Sequence, residues 1–428
     1  MTTHMPSGAQ DAPSRNGKYA ILLVVLLSTN FGIVFLDRNA LNYLMPFVSV
    51  DLKLNDAQIG MLAGATALSW AVSGFVFSAV SDRTGRRKSV LIAATVLFSL
   101  LSVASGFAKS FAALLAIRLT MGAAEGPVLP ISQAIVAAEA SPERRGLFMG
   151  IMNNFGSNLL GVMIAPPVLV GITAALGWRA GFWLAGIPGM IMALLILWLV
   201  KEPKAPRRGK SATAAAGHGA SHDWAGLLRS RNILICAAIS CCMLGWLLLG
   251  WAFLPVYFVR ELHFAPETMG MLMSVLGGSA VVGSLLVPGL SDRIGRRMTM
   301  ICFTLLGLVP PLAVGWSGLG AGPLAVVLFI GWLASGAIPI FMATIPSEST
   351  SRAQLATAMS LVMGIGEVVG GALMPVIAGA LADRHGLIAV PVVQAGLTAL
   401  AAILSLFLIE TAPLHRSDPA MAEPGLAA

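Results

Sequence analysis

Twelve stretches of this 428-residue chain are long and apolar enough to cross the roughly 30 Å hydrocarbon core of a bilayer. They fall at residues 20–47, 57–80, 89–107, 111–138, 146–170, 180–200, 232–259, 268–290, 298–316, 322–346, 353–380 and 388–409. Without water, every backbone N–H and C=O must be satisfied internally, which leaves helices and closed barrels. Continuous apolar runs without period-two alternation select the helix. The expectation is an all-α membrane protein with twelve transmembrane helices. Hydrophobic residues make up 57% and charged residues 11%, with mean hydropathy +0.84, a balance no soluble domain of this size needs.

The net charge of +8 is therefore a topology signal rather than a nucleic-acid footprint. With both termini cytoplasmic, twenty of the 27 Lys and Arg fall on the cytoplasmic side. Five lie outside (Lys53, Lys109, Arg179, Arg260 and Arg384), and Arg38 and Arg118 lie within helices. That bias sets the orientation. The first apolar run is too long for a cleavable signal and carries two charges, so it is expected to remain as a spanning helix. The four cysteines lack metal-ligand spacing and read as buried free thiols. His218 and His222 lack a third ligand, so no metal is expected.

The chain contains itself twice. Ser81-Asp82-Arg83-Thr84-Gly85-Arg86-Arg87 follows the second run, and Ser291-Asp292-Arg293-Ile294-Gly295-Arg296-Arg297 follows the eighth, 210 residues later. A duplicated six-helix unit predicts two pseudo-symmetric bundles about an axis along the membrane normal. The bundles are placed at 19–200 and 232–411, with a basic, Pro/Ala/Gly-rich cytoplasmic linker at 201–231 and tails at 1–18 and 412–428.

Charges at membrane depth mark function, because each costs about 3 kcal/mol at a helix centre unless it faces protein or water. Asp37 and Arg38 are adjacent in the first run, so they point about 100° apart and cannot simply neutralise each other. Arg118, Glu125 and Ser132 recur every seven residues and form one polar stripe along the fourth helix. Glu367 stands alone in the eleventh, either as a further proton site, as a contact for a polar part of a ligand, or as a neutral acid bonded to a neighbouring helix. An anion at Arg38 would relieve its pull on Asp37 or Glu125 and promote protonation, and the coupling is reciprocal. A buried ion-pair network pinning two helices is the structural alternative.

The repeated Asp-Arg-x-Gly-Arg-Arg loop, twelve helices and central linker together resemble the major facilitator superfamily across the whole chain. The resemblance implies that Asp82, Arg83, Gly85, Arg86 and Arg87, with Asp292, Arg293, Gly295, Arg296 and Arg297, form a cytoplasmic gate. Within that superfamily, Leu36-Asp37-Arg38-Asn39-Ala40-Leu41-Asn42, Arg118 to Pro127, Ile164-Ala165-Pro166-Pro167 and Gly177 to Phe182 are similar to the anion:cation symporters, which import organic anions with protons. The resemblance implies Arg38 as the binder of the anionic group and Asp37 and Glu125 as the proton carriers. Where that family commonly has Tyr, Gln and Pro-Gly-Gly on its second helix, this chain keeps Trp70 but has Val72, Val76 and Ser78-Ala79-Val80. That removes a polar contact and counts against a sugar acid. The segment from Asp51 to Gly60 also resembles spinster-type transporters, which are associated with lysolipids.

The expectation is a proton-coupled symporter importing a small organic anion such as a mono- or dicarboxylate or sugar acid. It needs no cofactor beyond a proton gradient and works by alternating access as a monomer in a bacterial inner membrane. Substrate contacts are assigned to Arg38, Asn42, Tyr43, Trp70, Asn154 and Trp251, and proton coupling to Asp37, Glu125 and Glu367. The rivals are a lysolipid or drug exporter, which needs an apolar lateral opening, and a non-transporting membrane sensor. No Walker loop, metal cluster or Ser/His/Asp set supports an enzyme.

Overall fold

The computed structural model describes residues 17–152, 156–202, 230–316, 318–351 and 354–412. The linker and both tails therefore lie almost wholly outside the described residues. Among the described residues, eleven helices are long and apolar enough to span a bilayer, and a shorter apolar helix follows them. They are α1 (Gly17–Asp51), α2 (Asp56–Thr84), α3 (Arg87–Ser105), α4 (Phe111–Glu139), α5 (Ser157–Leu176), α6 (Trp178–Leu199), α7 (Arg231–Arg260), α8 (Pro266–Ile294), α9 (Arg296–Trp316), α10 (Ala321–Glu348), α11 (Thr357–His385) and α12 (Ala389–Ser405). Most boundaries fall near the apolar runs. The fifth differs at its ends: Pro142–Gly150 is already helical, ahead of residue 146, and α5 continues past residue 170 to Leu176. Hydropathy counts side chains, whereas a helix runs on until its backbone is capped; here Gly177, at φ +81°, ends it.

Caps show the same logic elsewhere. Asn55 and Gln58 form a reciprocal capping box at the start of α2, and Ser110 accepts from the Ala113 N–H at the start of α4. Of the cysteines, Cys236 and Cys242 are buried and Cys241 half-buried, but Cys302 is exposed, against the expectation of buried thiols.

The duplication is written into the backbone. The left-handed non-glycine residues, Lys53 and His263, stand 210 residues apart, as do the left-handed glycines Gly85 and Gly295. Gly156 packs on Ser28 and Gly366 on Ser240, so α5 meets α1 as α11 meets α7. A π-helical segment follows each, Ser157–Ile164 in α5 and Glu367–Leu373 in α11.

The helix ends nearest residues 17 and 412 are called here the terminal face, and the opposite ends the distal face. The halves close on each other distally. A Cβ at Gly60 would lie 2.1 Å from the Pro375 carbonyl oxygen, one at Gly64 2.3 Å from that of Ala372, and one at Gly277 2.5 Å from the Val162 carbonyl carbon. Helix α2 thus presses on α11 and α5 on α8. Toward the terminal face, Gly150, Gly289 and Gly364 look onto open space. The apolar core repeats the pattern. One cluster runs from Tyr43 and Leu62 through Val162 to Met273 and Ala378, joining both halves. Another, around Leu27, Phe98, Ile131 and Ile196, belongs to the first half alone.

Polar groups seal the distal seam. The Asp383 carboxylate accepts from the N–H groups of Asp56 (2.7 Å) and Ala57 (3.2 Å), capping α2 from α11. Arg260, at the end of α7, pairs with Asp56 at 2.8 Å.

Candidate functional site

Helix α1 presents its adjacent charges to different neighbours. Asp37 is fully buried within the first half, where the Ser102 hydroxyl of α3 donates to it and Arg118 of α4 acts on its charge. Arg38 faces the second half. Its guanidinium lies 5.1 Å from the centre of the Trp70 ring of α2, and among the described residues it has no ion pair or hydrogen bond. The angular separation expected from helix geometry is what parts the two.

Arg38 lines a cavity of about 30 Å³ between the halves, room for about two waters. Its other polar walls are Asn39, Asn42, Thr66 and Arg118, and its apolar ones include Leu41, Leu62, Ala63, Leu248, Trp251 and Ala252. Asn42 donates to Asn39 at 3.1 Å, and Asn39 to the Phe35 carbonyl at 2.9 Å, which fixes their amides.

The stripe on α4 is buried as expected: Arg118 is 1% exposed, and Glu125 and Ser132 not at all. Gly122 lets this helix sit tightly on α2, since a Cβ there would be 2.2 Å from the Ser69 hydroxyl. Arg118 stacks 5.2 Å from the centre of the Phe182 ring and reaches the Met121 sulfur at 3.2 Å. Its Nε and one terminal nitrogen have no acceptor, and neither do the indole nitrogens of Trp70 and Trp251. Both Glu125 oxygens are buried without a donor, although Asp37, Arg38 and Arg118 all act on this acid. Unpaired buried polar groups are costly, and two of the residues that carry them, Arg118 and Trp251, line the cavity. From the second half, Glu367 sits on the first turn of the π-helical segment of α11, within electrostatic reach of Arg38.

Arg38, Asn42, Arg118 and Trp251 thus meet at the cavity, with Trp70 held beside it by Arg38. Tyr43 does not join them: its hydroxyl donates to the Gly161 carbonyl at 3.1 Å and its ring is part of the packed core, tying α1 to α5. It lies five residues beyond Arg38, more than one turn, and so follows the packed face of the helix. Asn154 lies outside the described residues.

At the terminal face the second repeated loop is a closed network. Asp292 pairs with Arg296 at 2.6 Å, and Arg296 reaches Glu348 of α10 at 3.0 Å. Glu410 accepts from the N–H groups of Arg296 (2.8 Å) and Arg297 (3.0 Å), capping α9. Burial alone would raise its pKa, but backbone donors from Ala412, Arg296, Arg297 and Thr411 outweigh that and hold its carboxyl below the usual range. Arg297 also donates to the Leu406 carbonyl at 2.7 Å. In the first repeat, Gly85 ends α2 at φ +68°, Arg83 and Arg86 are exposed, and Arg87 approaches the Ala134 carbonyl at 3.5 Å. The Asp82 side chain lies outside the described residues. Glu202 accepts from the Lys88 N–H at 3.1 Å, matching the role of Glu410. Neither glutamate stood out in the sequence, and the signal was available: each lies just after the last helix of its half, with a proline one residue on in the first (Pro203) and three on in the second (Pro413).

A second cavity, about 310 Å³, opens on the side of the first half among α2, α3 and α4. Phe77, Val90, Leu97, Thr120 and Pro127 help line it, and none of its lining residues is charged.

The comparisons agree with this architecture. The family model described as "Major Facilitator Superfamily" matches residues 27–286 and 241–427. A hexuronate transporter of Bacillus subtilis (strain 168) is 29% identical over 60% of this chain and 60% of its own length. A 3-(3-hydroxy-phenyl)propionate transporter of Escherichia coli (strain K12) is 27% identical over 80% of this chain and 82% of its own. A bacterial homolog of the human lysosomal transporter Spinster, solved inward-facing and unoccupied, superposes with a TM-score of 0.72 at 20% identity, covering 92% of this chain and 95% of that one.

Proposed function

The chain belongs to the Major Facilitator Superfamily, and from that premise we propose that it is a proton-coupled symporter carrying a small organic anion into a bacterial cell. It is a transporter, not an enzyme. The terminal face, rich in Lys and Arg, is the cytoplasmic one, and the membrane is the inner membrane. The bundles 19–200 and 232–411 rock about the cavity at Arg38, and the protein acts as a monomer.

The observation that carries this reading is the set of buried donors without acceptors around a cavity between the two halves, on Arg118, Trp70 and Trp251, beside the unpaired Arg38. A carboxylate supplies acceptors to such a set, and Arg holds it through two parallel bonds. Relatives named for a hexuronate and for a hydroxyphenylpropionate fit an anionic cargo. Glu125 and Asp37 carry the proton. An anion on Arg38 withdraws that cation from Glu125, and protonated Glu125 in turn leaves Arg38 free for the anion, so each ligand favours the other.

Alternating access needs the distal seam to part. The gate on that side is the cap from Asp383 and the Arg260–Asp56 pair, and the repeated loops latch the other side when it closes. A lysolipid exporter is the second reading, favoured by the apolar side cavity among α2, α3 and α4. That cavity has no charge to hold a headgroup, which makes it the weaker one. Uptake of a labelled carboxylate into vesicles tests the proposal: an inward proton gradient should drive accumulation above equilibrium. Uptake indifferent to the gradient removes symport.

A further inference from the structure

The cavity is built from equivalent positions of the two repeats, and the repeats disagree about chemistry. At the spacing of 210 residues, Arg38 corresponds to Leu248, Leu41 to Trp251 and Asn42 to Ala252, and all six line the same space. Arg118, which lines it too, corresponds to Leu328, a residue buried in the core. A ligand there meets cations and amides on one side and an aliphatic and aromatic wall on the other.

We infer that, once the halves part and this small cavity widens, it takes a monocarboxylate with a flat apolar body, an aryl or unsaturated acid, held by its carboxylate on Arg38 and by its body against Leu248, Trp251 and Ala252. This rests on the anion-site reading above. A polyhydroxylated acid would press several hydroxyls against that wall. Each one left unpaired costs roughly a factor of ten in affinity. The second half offers two polar exceptions near the site, the unpartnered Trp251 indole N–H and Glu367, enough for one polar substituent. A dicarboxylate fares no better, because its second anionic group would face the apolar wall. The Trp251 ring, 9% exposed, supplies a flat surface on which an aryl group stacks in an offset or edge-on arrangement.

The test is binding by the purified full-length protein, followed by calorimetry and by thermal shift, with 3-phenylpropionate, glucuronate and succinate as probes. The expected result is 3-phenylpropionate at least tenfold tighter than either competitor. Arg38→Ala should abolish its binding, and Leu248→Asn should narrow the preference over glucuronate. Ala252→Ser, a milder change, gives the same comparison should Leu248→Asn fail to fold. Glucuronate or succinate binding tighter than 3-phenylpropionate, and lost in Arg38→Ala, overturns the inference while the anion site stands. Binding of 3-phenylpropionate unaffected by Arg38→Ala, or no binding of any probe, overturns the anion site and the inference with it.

Discussion

The first half of the molecule holds Asp37, Arg38, Arg118 and Glu125 at membrane depth, and the second half holds Glu367. Yet the two share a frame closely enough that Lys53 and His263 adopt the same rare left-handed conformation at equivalent positions, φ 53° and 54°. Turn geometry, helix length and the glycine contacts of α5 and α11 survive duplication, because they specify how the backbone packs. Side chains facing the cavity are free to diverge. Helix α1 became the charged wall and α7 the apolar one, with Leu248 in the place of Arg38. One half lines the cavity with charge and amides, the other with apolar surface.

The largest expected effect breaks the comparison on its charged side. Glu125→Gln mimics a permanently protonated acid, so gradient-driven accumulation should vanish while exchange of labelled for unlabelled substrate persists. Asp37→Asn tests the partner carboxyl in the same assay, since the charge of Asp37 acts on Glu125. Accumulation at wild-type level in both single variants and in the double variant would reduce Glu125 to a structural role. Next is Arg38→Lys, which keeps the charge but loses the planar fork. Affinity should fall about tenfold or more, and near-normal affinity would discard Arg38 as the ligand.

A third variant probes where the halves meet rather than where they differ. Asp383→Asn removes a charged cap from the start of α2, worth about 1 kcal/mol, and should lower the population closed on the distal side. Labelling of a cysteine placed near Asp56 should rise, and unchanged labelling would mean the apolar seam alone holds the closure. The smallest effect concerns Glu410. Its depressed pKa gives a stabilisation present above the ordinary carboxylate range and lost as pH falls through the folded value. Glu410→Gln should therefore lower the melting temperature by a few degrees at neutral pH and by less in acid. An equal loss at both pH values would assign its role to shape rather than charge.

Much of this was legible in advance. The spanning segments, the duplication and the burial of the Arg118, Glu125 and Ser132 stripe follow from local rules: a helix must cover its length with apolar residues, and a seven-residue spacing keeps one face. Arg38, Asn42 and Trp251 all line the cavity. Tyr43 does not, and a tyrosine near a cavity and one bonded to the Gly161 carbonyl look alike until α5 is beside it.

The sequence alone thus determined that the chain spans a membrane, how often, and which helices carry charge, because the bilayer acts on each segment separately. Which way each charge faces was decided only in the assembled structure. Asp37 meets Ser102 across 65 residues, Glu410 caps α9 across 114, and Asp383 caps α2 across 327. Periodicity gives the angle between two side chains on one helix, but only packing against the other helices sets that helix's absolute rotation. That rotation turned Arg38 toward the cavity and Asp37 away from it.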